Sequence, residues 1–225
     1  MTLNLTKIVI MTRVYLSRFL SFCGILAPPT MIFFILLSAY LTPGYSHVTD
    51  TVSKLSEQGA LHPGLMIAGF ISYGVLIIGF SYALYLRLRH GLKAHIAWIS
   101  LTLYGICMIL AGIFRDSPNT EALLNPEGFI HNAAIIVSCL SILTGMWMFA
   151  GSVYQKPSWL GFTWFTIGAS ILGLALSIVF AVQSYVPASG LLQRLFYLVL
   201  LIWVETVSVW LYKLSFTHVE SLLTI

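Results

Sequence analysis

The residues of this chain best equipped for chemistry are Asp50, Ser53, Asp116, His131 and Arg194, which sit beside or at the ends of apolar segments at about one depth. Histidine exchanges protons near neutral pH because its unperturbed pKa is about 6.5. In an enzymatic reading His131 is the general acid/base, Asp116 or Asp50 orients its ring, and Ser53 or an activated water is the nucleophile. Arg194 then holds a phosphate or carboxylate head group in a fork of hydrogen bonds. Gln193, Asn132, Tyr45 and Arg115 lie beside these groups and complete the candidate binding set. The same residues admit a structural reading: His131 bonds a loop carbonyl, Asn132 helps to start a helix, and Asp116 pairs with Arg194 or Arg115.

What must position these groups follows from composition. Of the 225 residues, 59% are apolar and 8% charged, where a soluble domain carries about 25% charge. Mean hydropathy is +0.94. So little polar surface cannot wrap a water-soluble core, which excludes a soluble globular enzyme and a disordered chain. The net charge of +4 does not point to nucleic acid, because the basic residues flank apolar segments instead of forming a patch. Cys23, Cys107 and Cys139 all fall inside apolar stretches, as packing residues do, and their odd number fits no disulfide framework.

A helix needs about 20 mainly apolar residues to cross a bilayer. The segments 19–41, 64–85, 96–114, 129–150, 160–182 and 191–212 meet that length. Their apolar runs are continuous, which excludes barrel strands, and helices satisfy their own backbone in lipid. The fold class expected is therefore all-α integral membrane: a six-transmembrane-helix bundle forming a single domain over 1–225. The first segment is too long for the apolar core of a signal peptide and no small-residue cleavage site follows it, so a retained span is expected. Lys7, Arg13, Arg18, Arg87, Arg89, Lys93, Lys156 and Lys213 flank one side, against Lys54, Arg115 and Arg194 on the other. The positive-inside rule then puts both termini in the cytoplasm of an inner-membrane protein. Asp50, Glu57, Asp116, Glu121 and Glu127 fall on the outer side, with the two long connections 42–63 and 115–128.

Long loops on a rigid scaffold are where binding tends to reside. In the first of them, Val48, Val52 and Leu55 recur at helical spacing from Ser46 to Gln58, and Gly59 follows where a C-terminal cap belongs. This spacing predicts a short amphipathic helix over 46–58 at the outer face. Small residues recur every four positions at Ala169, Gly173 and Ser177 and at Gly64, Ala68 and Ser72, which predicts close helix contacts there. The run Gly168-Ala169-Ser170 has no histidine at its depth and is not read as a serine protease.

The order of Pro43-Gly44-Tyr45, Ser53 and Leu55, Phe114 before Asp116, His131-Asn132, Gly190, Gln193-Arg194 and Trp203 resembles the prokaryotic membrane family known as domain of unknown function 998. These marks run from residue 43 to residue 203. Lys54, Ser56 and Arg115 depart from the family's pattern. The resemblance implies the multi-pass architecture and the residue set, and no reaction, since the family's activity is not established.

Glu205 lies inside the sixth span on the face of Arg194, about 16 Å further along the helix. A carboxyl at such depth costs about 2.5–3.5 kcal/mol to insert and marks function by default. Asp50, Asp116 and His131 are of metal-ligand type, but no His-x-x-x-His spacing accompanies them and no metal is assigned. His47, His62, His90, His95 and His218 do not pair within a span, so no heme is implied, and no other cofactor is either. The function expected is an outward-facing polar pocket that binds or processes a lipid-like amphiphile by His-assisted hydrolysis or transfer. The rivals are a small proton-coupled transporter using Glu205 and a non-catalytic scaffold subunit. Oligomeric state is left open by the sequence.

Overall fold

The computed structural model describes residues 2–88, 91–117, 125–182 and 187–223. Arg89, His90, Pro118 and Glu121 lie outside them. The chain forms α1 (Thr2–Tyr40), α2 (Pro63–Leu88), α3 (Leu92–Ile113), α4 (Pro126–Val153), α5 (Leu160–Val182) and α6 (Ser189–Leu223). All six contain a stretch long and apolar enough to cross a membrane. The expected spans are found, α5 with both ends as expected and the others with their ends displaced, and local chemistry explains two of the shifts. α4 starts at Pro126 because Asn125 caps it, accepting the Glu127 N–H at 3.0 Å, and proline at the first position has no N–H to strand. Asn132 is thus inside the helix and does not start it. α3 begins at Leu92 after Gly91, whose φ of 95° suits glycine and few other residues.

Sequential helices pack side by side and α6 returns to α1, so the bundle closes into a ring. With no water to drive association in lipid, close backbone approach and side-chain fit must hold it. The tightest backbone-to-backbone approach between two of the described helices joins α2 to α3. A Cβ on Gly74 would stand 2.5 Å from the Gly105 carbonyl oxygen, and one on Gly105 would stand 2.7 Å from that of Gly74. On α1, Gly24 abuts Ser208 of α6 and Phe80 of α2, one turn before the Pro28-Pro29 pair that α1 carries without a break. Of the expected small-residue rows, Gly173 packs near Leu143 of α4. Gly64 has open space around it, and α2 uses Gly69, Gly74 and Gly79 instead.

Trp203 ties the ring together from inside. Its indole is fully buried, meets Phe80 of α2 and Phe149 of α4 edge-on, and donates from Nε1 to Thr166 Oγ1 of α5 at 2.9 Å. Satisfying that N–H is what makes so large an amphipathic ring tolerable in a core. Tyr73 and Tyr104 link α2 to α3 by a hydroxyl pair at 3.1 Å.

The connection from α1 to α2 departs from the expected continuous helix over 46–58. It is a series of turns around one 3-10 turn, Ser53–Leu55. Val52 and Leu55 enter the bundle core at 0% and 2% exposure, whereas Val48 is 50% exposed. The physical reason lies in the backbone: groups that a helix would bond internally are here taken by α6, as described below.

Adding a side chain where two backbones touch forces them apart, at a cost of about 1–3 kcal/mol. Gly74→Leu and Gly105→Leu are expected to lower the melting midpoint in detergent, by about 2–4 °C for each kcal/mol. Gly168→Ala, with open space around its Cβ, should leave the midpoint unchanged or slightly raised. Equal effects at all three positions would refute this account of the α2–α3 contact.

Candidate functional site

One end of the bundle carries all the polar candidates except Glu205, and the chain organises them around the connection 41–62. Its first half is fastened to α6. The Arg194 guanidinium donates through Nη1 to the carbonyls of His47 at 2.9 Å, Asp50 at 2.8 Å and Gly190 at 2.9 Å, and through Nη2 to the Tyr45 hydroxyl. Tyr45 in turn donates to the Thr51 carbonyl at 2.9 Å, and its ring lies 5.5 Å from the guanidinium carbon. Gln193 Oε1 accepts the Val52 N–H at 2.6 Å, the Ser189 hydroxyl donates to the Thr49 carbonyl at 2.9 Å, and the Leu191 N–H donates to that of Val48 at 2.9 Å. Gly190 is required here, because a Cβ would run into the Asp50 backbone.

The second half is fastened to the α3–α4 junction through Gln58, a residue that periodicity gave no reason to single out. Its backbone N–H donates to the Asp116 carbonyl at 2.9 Å, its Nε2 to Glu127 at 3.2 Å, and its Oε1 accepts from Asn125 at 3.0 Å. Asn125 also reaches the Ser117 hydroxyl, and Arg115 Nε stands 3.6 Å from Glu127. The Asp116 carboxylate accepts the Ser117 N–H at 2.8 Å.

His131 is 1% exposed, and its Nδ1 lies 2.9 Å from the carbonyls of both Ala111 and Phe114. Those are carbonyls that the end of α3 leaves without helical partners. Two acceptors at one nitrogen require Nδ1 to carry the proton, so the ring is oriented there by backbone carbonyls, not by Asp116 or Asp50. That leaves Nε2 as the ring nitrogen not engaged by these carbonyls. Asn132 is half-buried and its side-chain amide makes no hydrogen bond among the described residues.

The structure therefore gathers the sequence candidates into two sets. Tyr45, Asp50, Gln193 and Arg194 form the α6 fastening; Arg115, Asp116 and His131 gather at the α3–α4 junction. Ser53 lies between them in the 3-10 turn, its hydroxyl 3.3 Å from that of Thr51. Ser53 and His131 do not hydrogen-bond among the described residues, so the expected nucleophile–base pair is not formed. Glu205 lies in the membrane-spanning part of α6, away from both sets.

Electrostatics separate the acids. Burial opposes ionisation of Asp50, but the Lys54 hydrogen bond at 2.6 Å, the Ser46 N–H and the charges of Lys54 and Arg194 outweigh it and hold the carboxyl below its ordinary range. Glu57 goes the other way. Its half-buried carboxyl makes no hydrogen bond among the described residues; burial raises its pKa, and Asp116 and Asp50 raise it further against the pull of Lys54. Burial likewise pushes the Tyr45 phenol up, partly offset by Arg194, so the phenol stays protonated and can donate to Thr51. Among the described residues no group of three metal-ligating side chains is found.

A closed ring of six apolar helices, with a polar layer tied over one end, defines a multi-pass integral membrane protein. The chain belongs to the family described as Protein of unknown function (DUF998), which matches residues 25–210. No curated protein and no solved structure matches it.

Two outcomes are expected. Gly190→Ala and Arg194→Lys should each lower the melting midpoint, since the first displaces the Asp50 backbone and a lysine cannot serve four acceptors arranged for a planar fork; midpoints equal to that of the native chain would contradict the fastening. The second concerns pH. A folded carboxyl that holds its proton more tightly than the unfolded chain stabilises the fold at low pH, and the contribution is lost as pH rises through the folded value. Glu57→Gln, neutral throughout, should therefore melt higher than the native chain at pH 7, with the gap closing below the ordinary carboxyl value of 4.5. A variant that melts lower at pH 7 would show that the ionised carboxylate is a favourable partner.

Proposed function

We propose that this is an inner-membrane protein with both termini in the cytoplasm, whose outer face binds the polar head of a lipid-like amphiphile and exchanges protons with it through Glu57 and His131. The orientation rests on the eight basic residues that flank the termini side against three on the other. The observation that carries the functional reading is Glu57, a half-buried carboxyl with no hydrogen bond among the described residues, which feels the charges of Asp50 and Asp116 in a layer where most other polar groups are bonded.

Charge accounting narrows the head group. Arg194 is engaged by the loop carbonyls, Lys54 by Asp50 and Arg115 by Glu127 at 3.6 Å. The acids Glu57 and Asp116 keep acceptor capacity, which favours a head group bearing an amine or hydroxyls over one bearing only phosphate. In any hydrolysis or transfer the nucleophile is a water activated at His131 Nε2, since Ser53 is bonded elsewhere. The transporter reading has one supporting observation, the buried Oε2 of Glu205, which has no partner.

Lipidomics of a deletion strain tests this directly. The rescuing proteins carry a C-terminal green fluorescent protein, which fluoresces on the cytoplasmic side and so reports both abundance and orientation. Native protein and Glu205→Gln are expected to restore the lipid species altered by deletion, while His131→Ala and Glu57→Gln at equal fluorescence are not. Full rescue by both outer-face variants, or failure of Glu205→Gln alone, would overturn the proposal, the latter in favour of transport.

A further inference from the structure

We infer that the crevice between α5 and α6, on the termini side of the bundle, seats an anionic phospholipid. Its lining is Phe162 of α5 with Glu205, Thr206, Val209, Trp210 and Lys213 of α6, around a volume of about 370 Å3. This site is independent of the loop-face reading and lies at the other end of the bundle.

Two buried polar atoms of this lining have no partner: Glu205 Oε2 and Trp210 Nε1. The indole is not free to turn away, being held by ring contacts to Phe162 at 5.0 Å and to Trp159 at 6.4 Å. Buried polar groups are almost always bonded, so a donor and a carboxyl stranded on one crevice mark the place of polar atoms supplied from outside the chain. Lys213 is exposed where α6 leaves its apolar stretch. Counted inward, the crevice therefore offers an ammonium, an indole N–H about 4.5 Å deeper and a carboxyl about 12 Å deeper.

A phospholipid presents its groups in that order. The phosphate meets Lys213 at the boundary, an ester oxygen accepts the Trp210 N–H, and Glu205, reaching back along the crevice, donates its O–H to the second ester carbonyl when protonated. The acyl chain then follows Phe162 and Val209 into the lipid. A free inorganic anion held at Lys213 does not reach Glu205, about 12 Å deeper, and a hydrocarbon has nothing to offer Lys213 or Trp210, so the lining selects an amphiphile with a negative head.

Native mass spectrometry of the full-length protein, titrated with dioleoyl phosphatidylglycerol or dioleoyl phosphatidylcholine, tests the site. Phosphatidylglycerol is expected to add one retained molecule, about ten-fold more tightly than phosphatidylcholine. Lys213→Ala, Trp210→Phe and Glu205→Ala should each weaken it several-fold. Glu205→Gln, which still donates, should retain it, and Lys156→Ala, exposed on the same side outside the crevice, serves as the control. Equal binding of the two lipids, a Lys213→Ala variant that binds like the native chain, or equal losses in Lys213→Ala and Lys156→Ala would overturn the assignment.

Discussion

The polar end of this protein depends on one cation serving backbone carbonyls. Above an apolar bundle, the turns of 45–52 cannot bond themselves as a helix would, and burying their carbonyls without partners would be costly. Arg194 supplies donors to two of those carbonyls, to its own helix at Gly190 and to Tyr45. Gln193, Ser189 and the Leu191 N–H supply the rest of the fastening. Because Gly190 lacks a Cβ, the loop can lie directly on the first turn of α6. With that half fixed, Val52 and Leu55 plug the bundle, and Gln58 arrives where it can join α3 to α4.

This arrangement decides which polar groups have capacity left. A guanidinium whose two terminal nitrogens are engaged by its own chain is a poor hook for a ligand, and an aspartate paired with Lys54 at 2.6 Å is little better. Besides the buried Arg194 Nε, what the fold leaves incompletely satisfied is Glu57, poor in partners and under the influence of other acids, and the Nε2 side of His131. The same reasoning applied to the opposite end picks out Glu205 and Trp210. In a membrane, where an unbonded polar atom has no water to turn to, such residues carry more information about function than charged residues that are already paired.

Much of the architecture was legible from residue order. Continuous apolar runs of spanning length leave helices as the solution, and the positions of all six follow, with α5 ending as expected at Val182. The ends shifted where caps decide them, as at Asn125 and Gly91. The loop departs from its local pattern because helical spacing in 46–58 is real, yet α6 competes for its backbone, and no local pattern reports a competitor some 140 residues away. Arg194 and His131 were both picked out as polar residues at one depth, but residue type does not distinguish an arginine that binds a ligand from one that binds its own loop. Glu57 and Gln58 do not stand out in the sequence for the same reason: their roles arise from burial and from Asp116 and Asn125, which the folded chain alone brings near.

Hydrogen–deuterium exchange of the amides in 46–58 and at Leu191, followed by mass spectrometry in a lipid nanodisc, bears most directly on the claim that the loop is a fastened lid. The bonded amides of Asp50, Val52, Gln58 and Leu191 are expected to exchange at least about 100-fold more slowly than a free loop, as cooperative opening requires. Exchange at the rate of an unstructured segment would contradict the fastening, and with it the division of polar groups on which the proposed site rests.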